Sequence, residues 1–207
     1  MSHFFRNNSG FTIVELLVSI SIVTVILTVI ILNQSTYTDS IALTNLADEI
    51  SSTISQAQAY GIGVKGFSGE FKASYGVTFS IRTSTDDGDN KAYLNFVDNV
   101  LPLNQLYNGD WKCVHTECLG KVDITRGNFI EEICIVRKIP LSDQCNVAKR
   151  ADISFARPST EAQIKFFNNG GSEVGDPDDM GAKIRLQSPR GAIRSITVYK
   201  TGQISVQ

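Results

Sequence analysis

Residues 10–32 read GFTIVELLVSISIVTVILTVIIL, and they decide the fold. Positions 16–32 hold 13 Leu, Ile or Val and four Ser or Thr, with no charge, Gly or Pro. The uncharged run continues to Thr38. A helix needs about 20 residues to cross the hydrocarbon of a bilayer, so the segment is long enough. At roughly −0.3 to −0.6 kcal/mol per large aliphatic, the run contributes on the order of −6 kcal/mol to insertion, against about 3 for one carboxylate. The aliphatics win, despite Glu15.

Outward from this segment the composition changes. Of 19 basic and 21 acidic residues in the 207-residue chain, only Arg6 and Glu15 fall within residues 1–38. The rest is ordinary: 42% apolar, net charge −2, pI near 5.7. That excludes a disordered chain and gives no bulk-charge reason to bind nucleic acid. The chain reads as an apolar stem followed by a polar domain large enough to bury its own core.

A secretory signal peptide fits poorly. The apolar run exceeds the usual length of an h-region, and Asn33-Gln34-Ser35 is not a small-x-small cleavage site. A plain single-pass anchor leaves Glu15 unexplained, and a carboxylate inside an apolar span marks function by default.

Gly10-Phe11-Thr12-Ile13-Val14-Glu15, after a short polar leader with Arg6 and before an unbroken apolar helix, resembles the type IV prepilin signature. That family holds type IV pilins and the pseudopilins of type II secretion. The resemblance implies that a membrane peptidase cuts after Gly10 and N-methylates Phe11. It also implies that Glu15 sets register and recruitment during fibre assembly. The polar leader would stay cytoplasmic, in keeping with Arg6. After cutting, Phe11 carries a cationic amine, and Glu15 follows four residues later on the same helix face. Each charge alone in lipid is costly; paired between subunits, each offsets the other's desolvation. One departure is plain: many major pilins carry a mid-stem Pro or Gly, and this chain has no Pro before Pro102 and no Gly between Gly10 and Gly61. Softening is left to Ser19, Ser21, Thr24 and Thr28, whose hydroxyls can bond back to the preceding turn; helix packing is the other use for them.

Beyond the span, Leu43, Leu46, Ile50, Ile54 and Ala57 form one stripe at helical spacing. The pattern predicts a stem helix over 11–60, membrane-spanning over about 11–33 and ended by Gly61 and Gly63. From residue 61 onward the pattern turns to short β-like runs. Tyr75, Val77, Phe79 and Ile81 alternate as one half-buried strand, with a return strand at 92–96. Further strands are expected at 121–125, 129–136, 151–156, 161–167, 183–187, 193–199 and 203–206, the last two joined by a Thr201-Gly202 hairpin. The expected class is α+β: a leader at 1–10, a long helix at 11–60 and an antiparallel β-rich domain at 61–207, pilin-like in outline. The segments 56–61 and 192–206 resemble the GspH/FimT-like minor subunits.

Four cysteines, Cys113, Cys118, Cys134 and Cys145, lie in the part expected outside the membrane, which favours two disulfides. Four cysteines allow three connectivities; the local pairs Cys113–Cys118 and Cys134–Cys145 are expected, each closing a short loop. Zinc with His115 and free thiols are the alternatives, but the spacing lacks paired knuckles. Two acidic turns, Asp86, Asp87, Asp89 with Asn90, and Asp176, Asp178, Asp179, offer oxygens of the kind calcium takes. Surface turns are commonly Asp-rich, so no cofactor is expected. Arg185, Arg190, Arg194 and Lys200 cluster near the C-terminus. FimT-like minor pilins bind DNA through such a tail, which makes Arg190, Arg194 and Lys200 the candidates for phosphate contacts. Bulk charge argues against it.

No Gly-x-Ser-x-Gly, Walker loop or His-Glu-x-x-His occurs, and the two histidines are His3 and His115. An enzyme is not expected. The expected function is a structural subunit of a type IV pilus or a type II secretion pseudopilus, first single-pass in the cytoplasmic membrane and later in a surface or periplasmic filament. Its expected partners are other pilin or pseudopilin subunits, a prepilin peptidase, the inner-membrane assembly machinery and lipid. A DNA- or substrate-binding tip subunit and an anchored exodomain that never polymerises are the alternatives. Major or minor rank, the system and the host are not legible.

Overall fold

The structure is a computed structural model that describes residues 10–63, 73–82 and 88–207, without the side chains of 32–36. The leader before Gly10, and Asp86 and Asp87 of the first acidic turn, lie outside these residues. The elements run α1 (Ile13–Ile62), β1 (Ser74–Ser80), β2 (Ala92–Asp98), β3 (Cys118–Asp123), β4 (Phe129–Arg137), β5 (Arg150–Phe155), β6 (Ala162–Phe167), β7 (Glu173–Val174), β8 (Asp179–Gln187), β9 (Ile193–Tyr199) and β10 (Ile204–Val206). The class is α+β, a long N-terminal helix with an antiparallel β domain. The chain divides into two compact units, Met1–Thr38 and Asp39–Gln207.

In the first unit the helix begins at Ile13 rather than Phe11, because Thr12 caps it. Glu15 N–H donates to Thr12 Oγ1 at 3.2 Å, and Leu16 N–H to the Thr12 carbonyl at 3.1 Å. The polar side chains of the span are satisfied within the helix. Ser19, Thr24 and Thr28 donate to the carbonyl four residues back, and Ser21 to the one three back, at 2.7–2.8 Å. No hydroxyl there demands water, which suits a segment bound for lipid. Ile13–Ile31 is long and apolar enough to cross a membrane.

In the second unit the remainder of α1 lays its stripe on the sheets. Leu43, Leu46, Ile50, Ile54 and Ala57 are buried, joined by Ala47. Each large aliphatic contributes roughly 1.5–3 kcal/mol on burial, so four of them hold the helix down without charge pairing. One sheet has the order β3-β2-β1-β5-β6-β7 and the other β10-β9-β8-β4. Both feed one core with the helix, including Tyr75, Val77, Phe79, Ile133, Ile153, Ile184, Ile196 and Val198.

Three local outcomes differ from the sequence expectation. β1 is buried along its whole length, not on alternate residues. The helix and core cover one face; the segment around Gln105 and Tyr107 and, at Ser80, Gly88 lie on the other. Gly61 does not end the helix; it lies inside the last turn, where a Cβ would come within 2.3 Å of the Phe155 carbonyl oxygen. Glycine there permits close approach of helix to β5. β7 was not anticipated, since two residues carry no periodicity. Elsewhere alternation placed the strands well, and Gly202 (φ +86°) turns β9 into β10. Gln58 Nε2 ties this turn to the helix, donating to the Gly202 carbonyl at 3.1 Å and the Thr160 carbonyl at 3.2 Å.

Candidate functional site

Four residues at the head of the stem concentrate the chemistry. Gly10 and Phe11 precede the helix, Thr12 caps it, and Glu15 closes its first turn. A Cβ on Gly10 would meet nothing within 4 Å, and its φ is not left-handed. Among the described residues, packing therefore does not require glycine there. Phe11 is 73% exposed. Thr12 and Glu15 have the spacing of a capping box, and a carboxylate in the first turn meets the positive end of the helix dipole. Sequence reasoning missed this local use of Glu15, although Thr-x-x-Glu before an apolar run was there to read. Among the described residues Glu15 has no ion-pair partner. It stands as one acid at the end of an exposed apolar rod.

Residues 5–31 match the prokaryotic N-terminal methylation motif. The N-terminus is of the type IV prepilin kind. The motif points to a pilin-like or pseudopilin structural subunit rather than an enzyme. No curated protein and no solved structure matches the chain.

The remaining candidates of this prepilin-like chain fall in the globular unit. Cys113 is joined to Cys118, and Cys134 to Cys145. Glu132, Cys134 and Cys145 place ligand atoms within 4.8 Å of one another, but both sulfurs are held in the disulfide. His115 Nδ1 accepts the Glu117 N–H at 3.3 Å.

The basic candidates are not brought together as a free patch. Arg190 pairs with Asp39 at 3.3 Å, and Arg194 Nε donates to Thr44 Oγ1 at 3.3 Å, so both clasp α1. Lys200 Nζ donates to the Pro177 carbonyl at 3.1 Å, near the opposite end of β9 from Arg194. Arg185 pairs with Glu132. The acidic turns are likewise engaged. Asp89 lies 3.6 Å from Lys121, and Arg137 bonds Asp176 at 2.6 Å and reaches Asp179 at 3.7 Å. In the second turn a guanidinium already supplies the positive charge that a calcium ion would bring. Asp178 is exposed.

A second concentration of polar groups was not foreseen. It lies on the outer face of the larger sheet, under residues 99–117. Asp98, Asp152 and Glu117 are fully buried there. Each accepts a main-chain N–H from the covering segment: Asp98 from Gln105 at 2.6 Å, Asp152 from Tyr107 at 3.1 Å, Glu117 from Asn108 at 2.8 Å. Thr78 Oγ1 and Arg150 Nε also bond Asp152, at 2.5 and 2.8 Å. Leu94, Phe96, Tyr107 and Trp111 pack beside them as a small separate core, against the Cys113–Cys118 bridge. Burial, helped by Asp110, pushes the Tyr107 phenol up to about 12. Burial also raises Tyr93, on the helix side, and the Asp98 carboxyl.

Proposed function

We propose that the chain is a structural subunit of an envelope filament, a type IV pilus or a type II secretion pseudopilus. It is cut after Gly10, N-methylated at Phe11 and held as a single-pass monomer in the inner membrane. It then polymerises through its stem into a surface or periplasmic fibre. The observation that carries this reading is an exposed apolar span, Ile13–Ile31, whose one carboxylate, Glu15, lies four residues after Phe11, the expected first residue of the cut chain. A monomer must keep that charge in lipid at a cost; a neighbour's Phe11 amine offsets it. Gly10 supports the reading from the other side, since a glycine with no packing reason among the described residues suits a peptide bond read by a protease. Arg190 and Arg194 support a structural role over a DNA-binding one, because both already hold α1. The partners in this reading are other pilin or pseudopilin subunits, a prepilin peptidase, the assembly machinery and lipid.

Intact-mass and N-terminal peptide analysis of protein isolated from its native membranes tests the processing step. A chain beginning at methylated Phe11 is expected. A chain that keeps residues 1–10 would overturn the reading and leave a plain anchor.

A further inference from the structure

A cleft of about 240 Å³ opens between the globular part of α1 and the larger sheet. Its walls are Tyr60 from the helix, Tyr75 from β1, Phe96 from β2 and Leu119 from β3. Tyr60 and Tyr75 meet edge to face, with ring centroids 5.6 Å apart. None of the lining residues is charged. Thr53 and Gln56, on the helix side, are already engaged: Thr53 Oγ1 donates to the Glu49 carbonyl at 2.9 Å, and Gln56 Nε2 to the Tyr60 hydroxyl at 3.0 Å. Asn95, which also lines the cleft, keeps a buried Oδ1 with no hydrogen-bond partner. Buried polar atoms are rarely left in that condition.

The opening is supplied by β3. Gly120 lies opposite Asn95 in the β2–β3 register, so the two positions share one face of the sheet. A Cβ on Gly120 would meet nothing within 4 Å, and its φ is not left-handed. Among the described residues, neither packing nor backbone conformation requires glycine there, and the missing side chain leaves open space beside Asn95. The register shifts at the next step, where Leu119 is the extra residue of β3. A bulge of this kind re-aims a side chain, and Leu119, 44% exposed, stands at the cleft. β3 is also the edge of its sheet. The Ile124 amide donates to the Lys91 carbonyl at 2.7 Å. The alternation of an antiparallel ladder therefore turns the main chain of Gly120 and Val122 toward β2, and that of Lys121 and Asp123 outward. Such an edge is a template for one more strand.

We propose that the cleft and the β3 edge together bind an extended peptide segment of a partner protein, which adds a strand to β3 and lays one tyrosine or tryptophan side chain over Gly120 into the cleft. The edge selects an extended main chain, because that alone matches its outward amides and carbonyls. The uncharged lining rejects Lys, Arg, Asp and Glu, whose charges would lose water and gain no partner. The aromatic walls favour a ring, and the unmatched Asn95 oxygen asks for a donor on it. Tyrosine and tryptophan combine an apolar body with one O–H or N–H. The site lies wholly within the globular unit and does not depend on what the stem does.

The test uses the full chain in detergent micelles and a dye-labelled, end-blocked pentapeptide, Thr-Val-Tyr-Val-Thr, followed by fluorescence anisotropy. Saturable binding is expected, reversed by unlabelled peptide. A central Phe removes the donor and weakens binding roughly tenfold, and a central Lys abolishes it. N-acetyltyrosinamide, which has the ring but no strand, competes roughly tenfold more weakly or worse. Gly120→Val fills open space with a residue suited to strands, so the melting temperature holds or rises while binding is lost. Asn95→Ala weakens the tyrosine peptide roughly tenfold and binds it no better than the Phe peptide. Absence of saturable binding overturns the proposal, as does binding that survives Gly120→Val. Equal binding of the Tyr and Phe peptides to the wild type contradicts the role of Asn95, and equal competition by N-acetyltyrosinamide contradicts pairing on β3.

Discussion

Thr12 and Glu15 share the first turn of the stem but carry different burdens. Thr12 satisfies a helix-end amide, and Glu15 adds a negative charge where the dipole welcomes it. Thr12→Ala removes the cap at a cost of about 1 kcal/mol, so amide exchange at Glu15 should speed roughly fivefold in micelles. Assembly should persist, because the carboxylate remains. Tyr107 offers a second test at this scale. Its phenol stands at about 12 in the fold, against about 10 when unfolded. The raised value means that its contribution is complete below pH ~10 and lost as pH climbs from there to ~12. Melting curves of wild type and Tyr107→Phe across that window should converge as the wild type loses this contribution. A constant gap would refute the shift. The role of Thr12 was legible in the sequence and went unread; that of Tyr107 was not legible, because nothing in Leu-Tyr-Asn-Gly says what will cover the ring.

Elements were legible where one periodic rule governs them. Length and hydrophobicity define the span, and helical spacing defines the stripe from Leu43 to Ala57. Alternation found most strands. It failed on the outer face of β1, where Ser74, Thr78 and Ser80 look like solvent positions yet are buried. Thr78 is tied through Asp152 to Tyr107, and Ser80 lies against Gly88, and neither covering segment has a period to read. Gly61 failed for a related reason: a glycine that ends a helix and one that lets a strand approach look alike until the strand is placed. Gly61→Ala forces a methyl to within 2.3 Å of the Phe155 oxygen, so a loss of roughly 1–3 kcal/mol is expected in denaturant melts. Ile50→Ala, in the middle of the stripe and fully buried, should cost about 2–5 kcal/mol. Arg190→Ala should cost under about 1 kcal/mol, because its pair with Asp39 is partly exposed. A larger loss for Arg190 than for Ile50 would show that charge, not the apolar stripe, docks the helix.

Across the whole molecule the two units answer different demands. Asp39–Gln207 closes its own core and ties its loops with two disulfides. The stem through Thr38 buries nothing among its described apolar residues and so asks for lipid or for other stems. The sequence disclosed that division because charge and apolarity separate cleanly at Thr38. It could not disclose that Arg190 and Arg194 would be spent on α1, since that depends on which distant segments meet. The most direct measurement is the fate of Glu15→Ala in cells that assemble the wild-type protein, followed by membrane extraction and filament shearing. The variant should remain membrane-held, its stem now more apolar, and yield no sheared filaments. Filaments at wild-type yield would mean that no neighbour's amine needs this acid, and the pairing proposed here would be wrong.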